Sequence, residues 1–319
     1  MMNTIEKLQN NYNQFLTQNY FEGSPDNLYD PMNYIMSLGG KRVRPLLAMI
    51  GNQLANGDIQ NGIYIGHVME IFHNFSLVHD DIMDKADTRR GKPTVHKKWD
   101  EPTAILSGDN MLVKSFELLI NYNGPNKDAI LKTFTKTAAE VCEGQQNDMD
   151  FEQRVDVDID SYLYMIQNKT AVLLGCSIKC GALSANCNQE ISNELYDFAI
   201  NIGMAFQLMD DYLDTFGNSD NTGKIKGGDI LQGKKTWLFL NSQHIYKEKH
   251  QYLFQEENST TKVNAIISHW QSIELDKQCL QLIEDYNKKA HSNLERIKKS
   301  GFDTQLLIEL LNYLSERQS

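Results

Sequence analysis

The chain has 319 residues, 41% of them hydrophobic, and sets 31 Lys plus Arg against 42 Asp plus Glu for a net charge of −11. That acidic balance argues against nucleic acid or an anionic membrane as the main partner, and the length is enough for a sizeable core in one large domain or two ordinary ones. Five cysteines (Cys142, Cys176, Cys180, Cys187, Cys279), odd in number and without a CxxC pair, read as reduced cytosolic thiols rather than a disulfide frame.

The N-terminus "MMNTIEKLQNNYNQFL" has neither a basic start nor an apolar run. The longest uncharged apolar-rich stretch, "AVLLGCSI" (171 to 178), is far too short to span a bilayer, so a soluble, unexported, cytoplasmic protein is expected. A basic, glycine-led segment "GGKRVRP" (39 to 45) comes first. Ile71, Phe75, Val78 and Ile82 then follow one face of a 3.6-residue period, and the helix they predict runs into the acidic pentad DDIMD (80 to 84). Two arginines follow in "RRGK" (89 to 92).

All six prolines fall at or before Pro125, which permits an unbroken succession of helices from residue 126 onward. Cys176 and Cys180 sit at i, i+4, a spacing for helix packing rather than a metal or redox pair. "VDVDID" (155 to 160) alternates like a strand, but its acids and its place before the periodic run from Ser161 predict a connecting loop. Leu195, Phe198, Ile202, Met209 and Leu213 predict a second apolar helix face, and it carries a second pentad, DDYLD (210 to 214). "NYNGPN" (121 to 126) and "GNSDNTGKIKGGD" (217 to 229) read as turns, and no linker or shift in composition marks a second folding unit.

Carboxylates one helical turn apart, about 6 Å in rise, repel by on the order of 3 kcal/mol per close pair at an effective dielectric of about 20. A bare cluster would be a liability, and a divalent cation is the remedy. One such pentad in an acidic protein is ordinarily a solvated helix face; a second copy on a similar apolar helix argues for a pair that works together. Oxygen ligands of this kind suit Mg²⁺ rather than zinc, and Mg²⁺ so held also binds substrate phosphates. The basic clusters "GGKRVRP", "RRGK", "NKT" (168 to 170), "GKIKGGD" (223 to 229) and "GKKT" (233 to 236) supply the complement, several beside glycines where backbone approaches an anion closely. With no GxxxxGK[ST] loop, the pattern points to a diphosphate ester that is not a nucleotide.

At these residues the sequence resembles the trans-isoprenyl diphosphate synthases, or polyprenyl synthetases. The match runs in order through "GGKRVRP", "HNFSLVHDDIMDKADTRRGKPTVH" (73 to 96), "GD" (108 to 109), "EGQQNDM" (143 to 149), "NKTAVLL" (168 to 174), "FQLMDDYLD" (206 to 214) and "GKIKGGDILQGKKT" (223 to 236). The resemblance implies a single polyprenyl synthetase domain over 1–319, an all-α helical bundle around a deep cavity with the two aspartate motifs facing each other at its mouth, and a homodimer. It implies a Mg²⁺-dependent prenyltransferase that condenses isopentenyl diphosphate with dimethylallyl, geranyl or farnesyl diphosphate. Asp80, Asp84 and Asp210 look like ligands of up to three Mg²⁺, with Asp81, Asp211 and Asp214 in the same motifs. Arg89, Lys169 and Lys234 look like the cations for the allylic diphosphate, and Gly40, Lys41, Arg44, His73 and Arg90 like the isopentenyl diphosphate site. Gln145, Asp148, Thr170, Gln207 and Lys224 match polar positions lining the same cavity.

Product length follows from the same likeness, since large residues four and five positions before the first motif commonly limit chain growth. Ser76 is small and Phe75 aromatic, with Phe72 a deeper candidate floor, although helix angles alone make Phe75 a core residue. That combination leads to an expected C20 product, geranylgeranyl diphosphate, ahead of C15 farnesyl diphosphate or a longer chain. A class I terpene cyclase and a non-catalytic subunit of a heteromeric synthase are the weaker alternatives, because the second pentad and a second-substrate site at Lys41, Arg44 and His73 would serve neither.

Overall fold

Side chains that close the first turn set where the main helices begin. Asp58 accepts the Gln60 amide at 3.0 Å to open α4 (Ile59–Met83), Asp100 accepts that of Thr103 at 2.7 Å to open α6 (Glu101–Asn121), and Asp158 accepts that of Ser161 at 2.8 Å to open α8 (Ile159–Ile166). The acidic stretch from 155 is therefore a loop ending in a helix cap, as its composition predicts, and Asp156 in it accepts from Arg154 at 2.9 Å. This computed structural model describes residues 4–217, 227–245 and 247–315, and among them it is all α apart from one short hairpin.

In order, α1 (Thr4–Gln18), α2 (Asp26–Ser37) and α3 (Val43–Leu54) precede α4; the hairpin strands β1 (Thr88–Arg89) and β2 (Lys92–Pro93) and a single turn, α5 (Val95–Lys98), lead to α6. Then come α7 (Lys127–Gln153), α8, a π-helical turn at Gln167–Ala171, α9 (Val172–Leu183) and α10 (Gln189–Phe216). Shorter helices from Gly228 to Ser272, a long one at Leu275–Lys299 and a last one at Gln305–Ser315 complete the chain. None of the described helices is long and apolar enough to cross a membrane.

The chain divides into two compact units. One takes described residues 4–135, 176–195 and 297–315; there α3 and α6 pack along α4 over a core that includes Met32, Leu46, Met49, Phe72 and Phe134. Cys176 and Cys180, on consecutive turns, are buried thiols 3.7 Å apart beside Met69, and all five cysteines are free. The other unit takes described residues 136–175, 196–217, 227–245 and 247–296, around a core in which Tyr162, Leu208, Leu238, Ile266 and Trp270 are each at most 2% exposed. Burying side chains of this size contributes roughly 1.5–3 kcal/mol each.

Candidate active site

The first pentad straddles the end of a helix. α4 carries Asp80 and Asp81, and Asp84 caps its C-terminus, the Asp84 amide donating to the Asp80 carbonyl at 2.9 Å so that the outer carboxylates sit one turn apart. Behind the helix the chain reverses through a two-residue turn, Arg90 and Gly91, at φ 53° and 72°, the left-handed pair that a tight hairpin needs. The "RRGK" cluster is thus the tip of a hairpin, which charge alone did not foretell.

That hairpin returns Arg89 to the acids. Its Nε donates to both Asp81 carboxylate oxygens at 2.9 Å, its Nη2 lies 2.7 Å from Asp81 Oδ1, and the same nitrogen reaches Asp80 Oδ2 at 3.4 Å. Asp81 is buried, and burial pushes its carboxyl above the usual range while the Arg89 bond pulls it back. The cluster is therefore not bare: a guanidinium meets the repulsion at Asp81.

A second group of cations lies in the same unit. Gly39 and Gly40 have φ of 79° and 121°, which favour glycine, and a Cβ on Gly40 would stand 2.8 Å from the Arg90 guanidinium carbon and displace that side chain, which donates to the Gly39 carbonyl. Lys41 follows; its carbonyl accepts from Gln9 at 3.0 Å. Arg44 is in the first turn of α3, with a buried Nε that has no hydrogen-bond partner, and burial lowers its pKa to about 10. Burial, and then the charges of Arg44, Arg90, Arg89 and Arg42, push His73 on α4 well below the ordinary imidazole range, so it is a neutral ring among guanidinium groups.

Upstream of the pentad on α4, Ser76 turns its hydroxyl onto the His73 carbonyl at 2.8 Å. Phe75 is 7% exposed, its ring 5.4 Å from Phe72 and 4.9 Å from His79. Phe72 is fully buried against Phe134 at 5.2 Å. Both phenylalanines pack as helix angles predict.

The other unit holds the second pentad inside α10, with a cavity of about 500 Å³ lined by Asp148, Lys169, Thr170, Gln207, Asp211 and Lys234 among others. Lys169 and Thr170 belong to the π turn, where a widened backbone is a recurrent mark of functional sites. A Cβ on Gly144 of α7 would lie 2.3 Å from the Lys169 amide, so this glycine permits the two backbones to touch. Gln145 is the next residue, and one turn on from Gly144, Asp148 holds the Lys169 ammonium at 2.5 Å. Thr170 donates to Gln207 at 3.3 Å, and Gln207 donates to Asp211 at 3.2 Å.

Asp211 is buried and also accepts from the Tyr162 hydroxyl; burial raises its pKa to about 7 against the pull of that bond. Asp214 accepts the Asp229 amide at 2.9 Å. Lys234 lies 3.6 Å from Asp229, and its neighbour Lys235 caps the end of α7 through the Phe151 carbonyl. Asp210 is exposed on the same helix. Lys224 falls outside the described residues.

Sequence reasoning passed over Tyr162, Arg42 and Glu70. The last two form a buried ion pair at 2.5 Å. Only "GGKRVRP" itself, and a glutamate three residues before His73, hinted at them.

Among the described residues no three His, Cys, Asp or Glu side chains converge to hold a metal ion. Mg²⁺ does not ask for such a cage: it keeps one or two carboxylates and fills its octahedron with water and substrate phosphate. Asp80 with Asp84, and Asp210 with Asp214, offer hard oxygen donors a turn apart and fit that demand.

The sequence model of the family described as polyprenyl synthetase matches residues 25–270. The chain is 35% identical over 323 residues to the geranylgeranyl diphosphate synthase of Sulfolobus acidocaldarius, covering 98% of this chain and 96% of that protein. It is 42% identical over 219 residues to the short chain isoprenyl diphosphate synthase of Methanocaldococcus jannaschii, covering 68% of this chain and 66% of that one. A crystal structure of a geranylgeranyl pyrophosphate synthase superposes with a TM-score of 0.91, at 39% identity over 99% of each chain.

Proposed function

The chain belongs to the polyprenyl synthetase family and is a trans-prenyltransferase, and we propose that it joins isopentenyl diphosphate to allylic diphosphates to make geranylgeranyl diphosphate, C20. The observation that carries this reading is the pair of acidic pentads, each in one unit with its own set of Lys and Arg side chains.

Lys169, Lys234 and Arg89 are assigned to the allylic diphosphate, and Lys41, Arg44, His73 and Arg90 to isopentenyl diphosphate, with Gly40 leaving room for Arg90. Gln145, Thr170, Gln207 and Lys224 serve as polar lining. Asp80, Asp84 and Asp210 would hold Mg²⁺, which when bound would supply charge neutralisation of the leaving diphosphate. The cationic side chains stabilise the same developing charge as the allylic C–O bond ionises, and they fix the second substrate so that its double bond meets the carbocation and a proton is then lost. No enzyme nucleophile takes part.

Chain length is assigned to Phe75 and Ser76, with Phe72 below them. The C20 assignment draws support from the two geranylgeranyl synthases to which the chain is similar. A homodimer is favoured by Leu106, Val113 and Ile120, seven residues apart on α6 and 57–60% exposed, an apolar stripe suited to a second copy. Light scattering should then give twice the chain mass.

The deciding experiment incubates the chain with Mg²⁺, labelled isopentenyl diphosphate and each allylic primer, then sizes the dephosphorylated products. Absence of any elongation would end the reading. Phe75→Ala should lengthen the products and Ser76→Phe should shorten them towards C15; unchanged products in both active variants would remove these residues from length control.

A further inference from the structure

One buried ion pair in the unit of the first pentad contains neither an acid of that pentad nor a cation assigned to substrate. Arg42, 5% exposed, donates from Nη1 to Glu70 Oε1 at 2.5 Å and from Nη2 to the Met36 carbonyl at 2.6 Å. Glu70, 2% exposed, is further held by Asn74, whose amide reaches the Glu70 carbonyl at 2.8 Å and Oε1 at 3.3 Å. Burying two charges is unfavourable unless geometry and extra hydrogen bonds offset it, and a hydrophobic pair of similar volume is often as stable. A pair kept in such a place invites a role other than stability.

Its position indicates the role. Arg42 lies between Lys41 and Arg44 and takes φ 51°, ψ 39°, a left-handed conformation unfavourable for a residue with a Cβ, while its carbonyl accepts the Leu46 amide at 3.1 Å to start α3. The guanidinium, bonded to Glu70 and to the Met36 carbonyl, anchors the backbone between the two flanking cations. Glu70 is also one turn before His73 and Asn74 on α4, so the same carboxylate ties the loop to the helix that carries the imidazole. Its charge extends further: burial lowers Arg44 and Arg90, and Glu70 acts against that burial at both.

We propose that Glu70 and Arg42 are positioning residues for the isopentenyl diphosphate site, holding the 39–42 loop and the first turn of α3, with Lys41 and Arg44, in the arrangement that receives the diphosphate. The inference rests on the function proposed above. It adds two residues that do not touch substrate and whose removal acts on one of the two substrates alone.

Isopentenyl diphosphate without a primer is not consumed, so its binding is measured directly by titration calorimetry, alongside steady-state KM for each substrate. Glu70→Gln should weaken isopentenyl diphosphate at least tenfold and move the KM for farnesyl diphosphate less than twofold; Arg42→Lys, which keeps the charge, should fall between it and the wild type. The double variant Arg42→Met/Glu70→Leu replaces the pair by apolar side chains and keeps the question open to test should Glu70→Gln not fold. If the pair only stabilises the fold, the double variant binds isopentenyl diphosphate like the wild type and the inference is overturned, as it is if both substrates weaken equally. Binding still weakened in a folded double variant supports it. A wild-type chain that neither binds isopentenyl diphosphate nor elongates a primer refutes the proposed function itself, a result distinct from variants that match an active wild type.

Discussion

The two pentads, DDIMD at the end of α4 and DDYLD inside α10, are alike in sequence and unlike in what holds them. In both, the second aspartate is the buried one. Asp81 is met by a guanidinium through paired bonds, whereas Asp211 is met by a phenol and an amide, both neutral. The first pentad is held by charge, through the Arg89 guanidinium on Asp81 and Asp80, and the second by hydrogen bonds that run from Asp211 through Gln207 to Thr170 in the π turn. One motif thus accommodates two electrostatic settings: under the proposed function the outer carboxylates meet the metal, and the middle one is fitted to its surroundings.

The largest expected effect tests that division. Asp80→Ala and Asp210→Ala should each lower turnover by about a thousandfold, since each removes a carboxylate assigned to charge neutralisation of the leaving group, worth several kcal/mol. The losses should be similar even though the surroundings are not, and the melting temperature without Mg²⁺ should not fall. Near wild-type turnover of either variant in saturating Mg²⁺ would break the equivalence.

The next effect, at most about 3 kcal/mol for His67 and about 4 kcal/mol for Asp211 at 1.36 kcal/mol per pKa unit, separates the regions by the sign of their pH dependence. On the charged side, burial and then Arg42 hold His67 at about 4, its Nδ1 3.3 Å from the Tyr12 hydroxyl. Unfolding returns that imidazole to about 6.5, so its contribution is full above 6.5 and lost as pH falls through 6.5 towards 4. Asp211 does the opposite. Its carboxyl is raised from 3.8 to about 7, chiefly by burial, so its contribution is full below 3.8 and lost as pH rises towards 7. Urea midpoints from pH 4 to 8 in Mg²⁺-free buffer should show His67→Gln flattening the acid loss and Asp211→Asn removing the loss on the alkaline side. Slopes that change in the same direction would contradict the contrast.

What the sequence disclosed divides along physical lines. The α4 and α10 faces were legible because a 3.6-residue period is local, and the loop from 155 because its acids cap the helix that follows. The hairpin at 88–93 was not, because strands of two residues have no alternation to read, and "RRGK" displayed only its charge. Tyr162 and Glu70 were hidden for another reason: their partners, Asp211 and Arg42, lie 49 and 28 residues away, and nothing in the local pattern joins them. The π turn depends in turn on the bare backbone of Gly144, more than 20 residues upstream.

The smallest effect concerns the middle aspartates themselves and carries the comparison to a single atom. Asp81→Asn and Asp211→Asn change the same motif position by the same atoms, yet the first leaves a guanidinium facing an amide and the second leaves a hydroxyl facing one. An amide oxygen still accepts from the Tyr162 hydroxyl while the bond from the neutral Gln207 amide is lost, and at neutral pH the substitution removes a buried charge that burial disfavours; the two offset, so Asp211→Asn should be nearly neutral. Asp81→Asn keeps one acceptor where Arg89 used two. Asp81's own upward shift would rate the pair as weak, but burial accounts for it, and the two-point geometry is the better measure of what is lost. A fully buried pair broken in this way costs about 3–5 kcal/mol; with Arg89 24% exposed, roughly 1–2 kcal/mol is expected. Urea denaturation of both variants at pH 7.5 in Mg²⁺-free buffer reads the difference. An equal loss at the two positions would mean that the surroundings distinguished here, guanidinium against phenol, do not set how each motif is held.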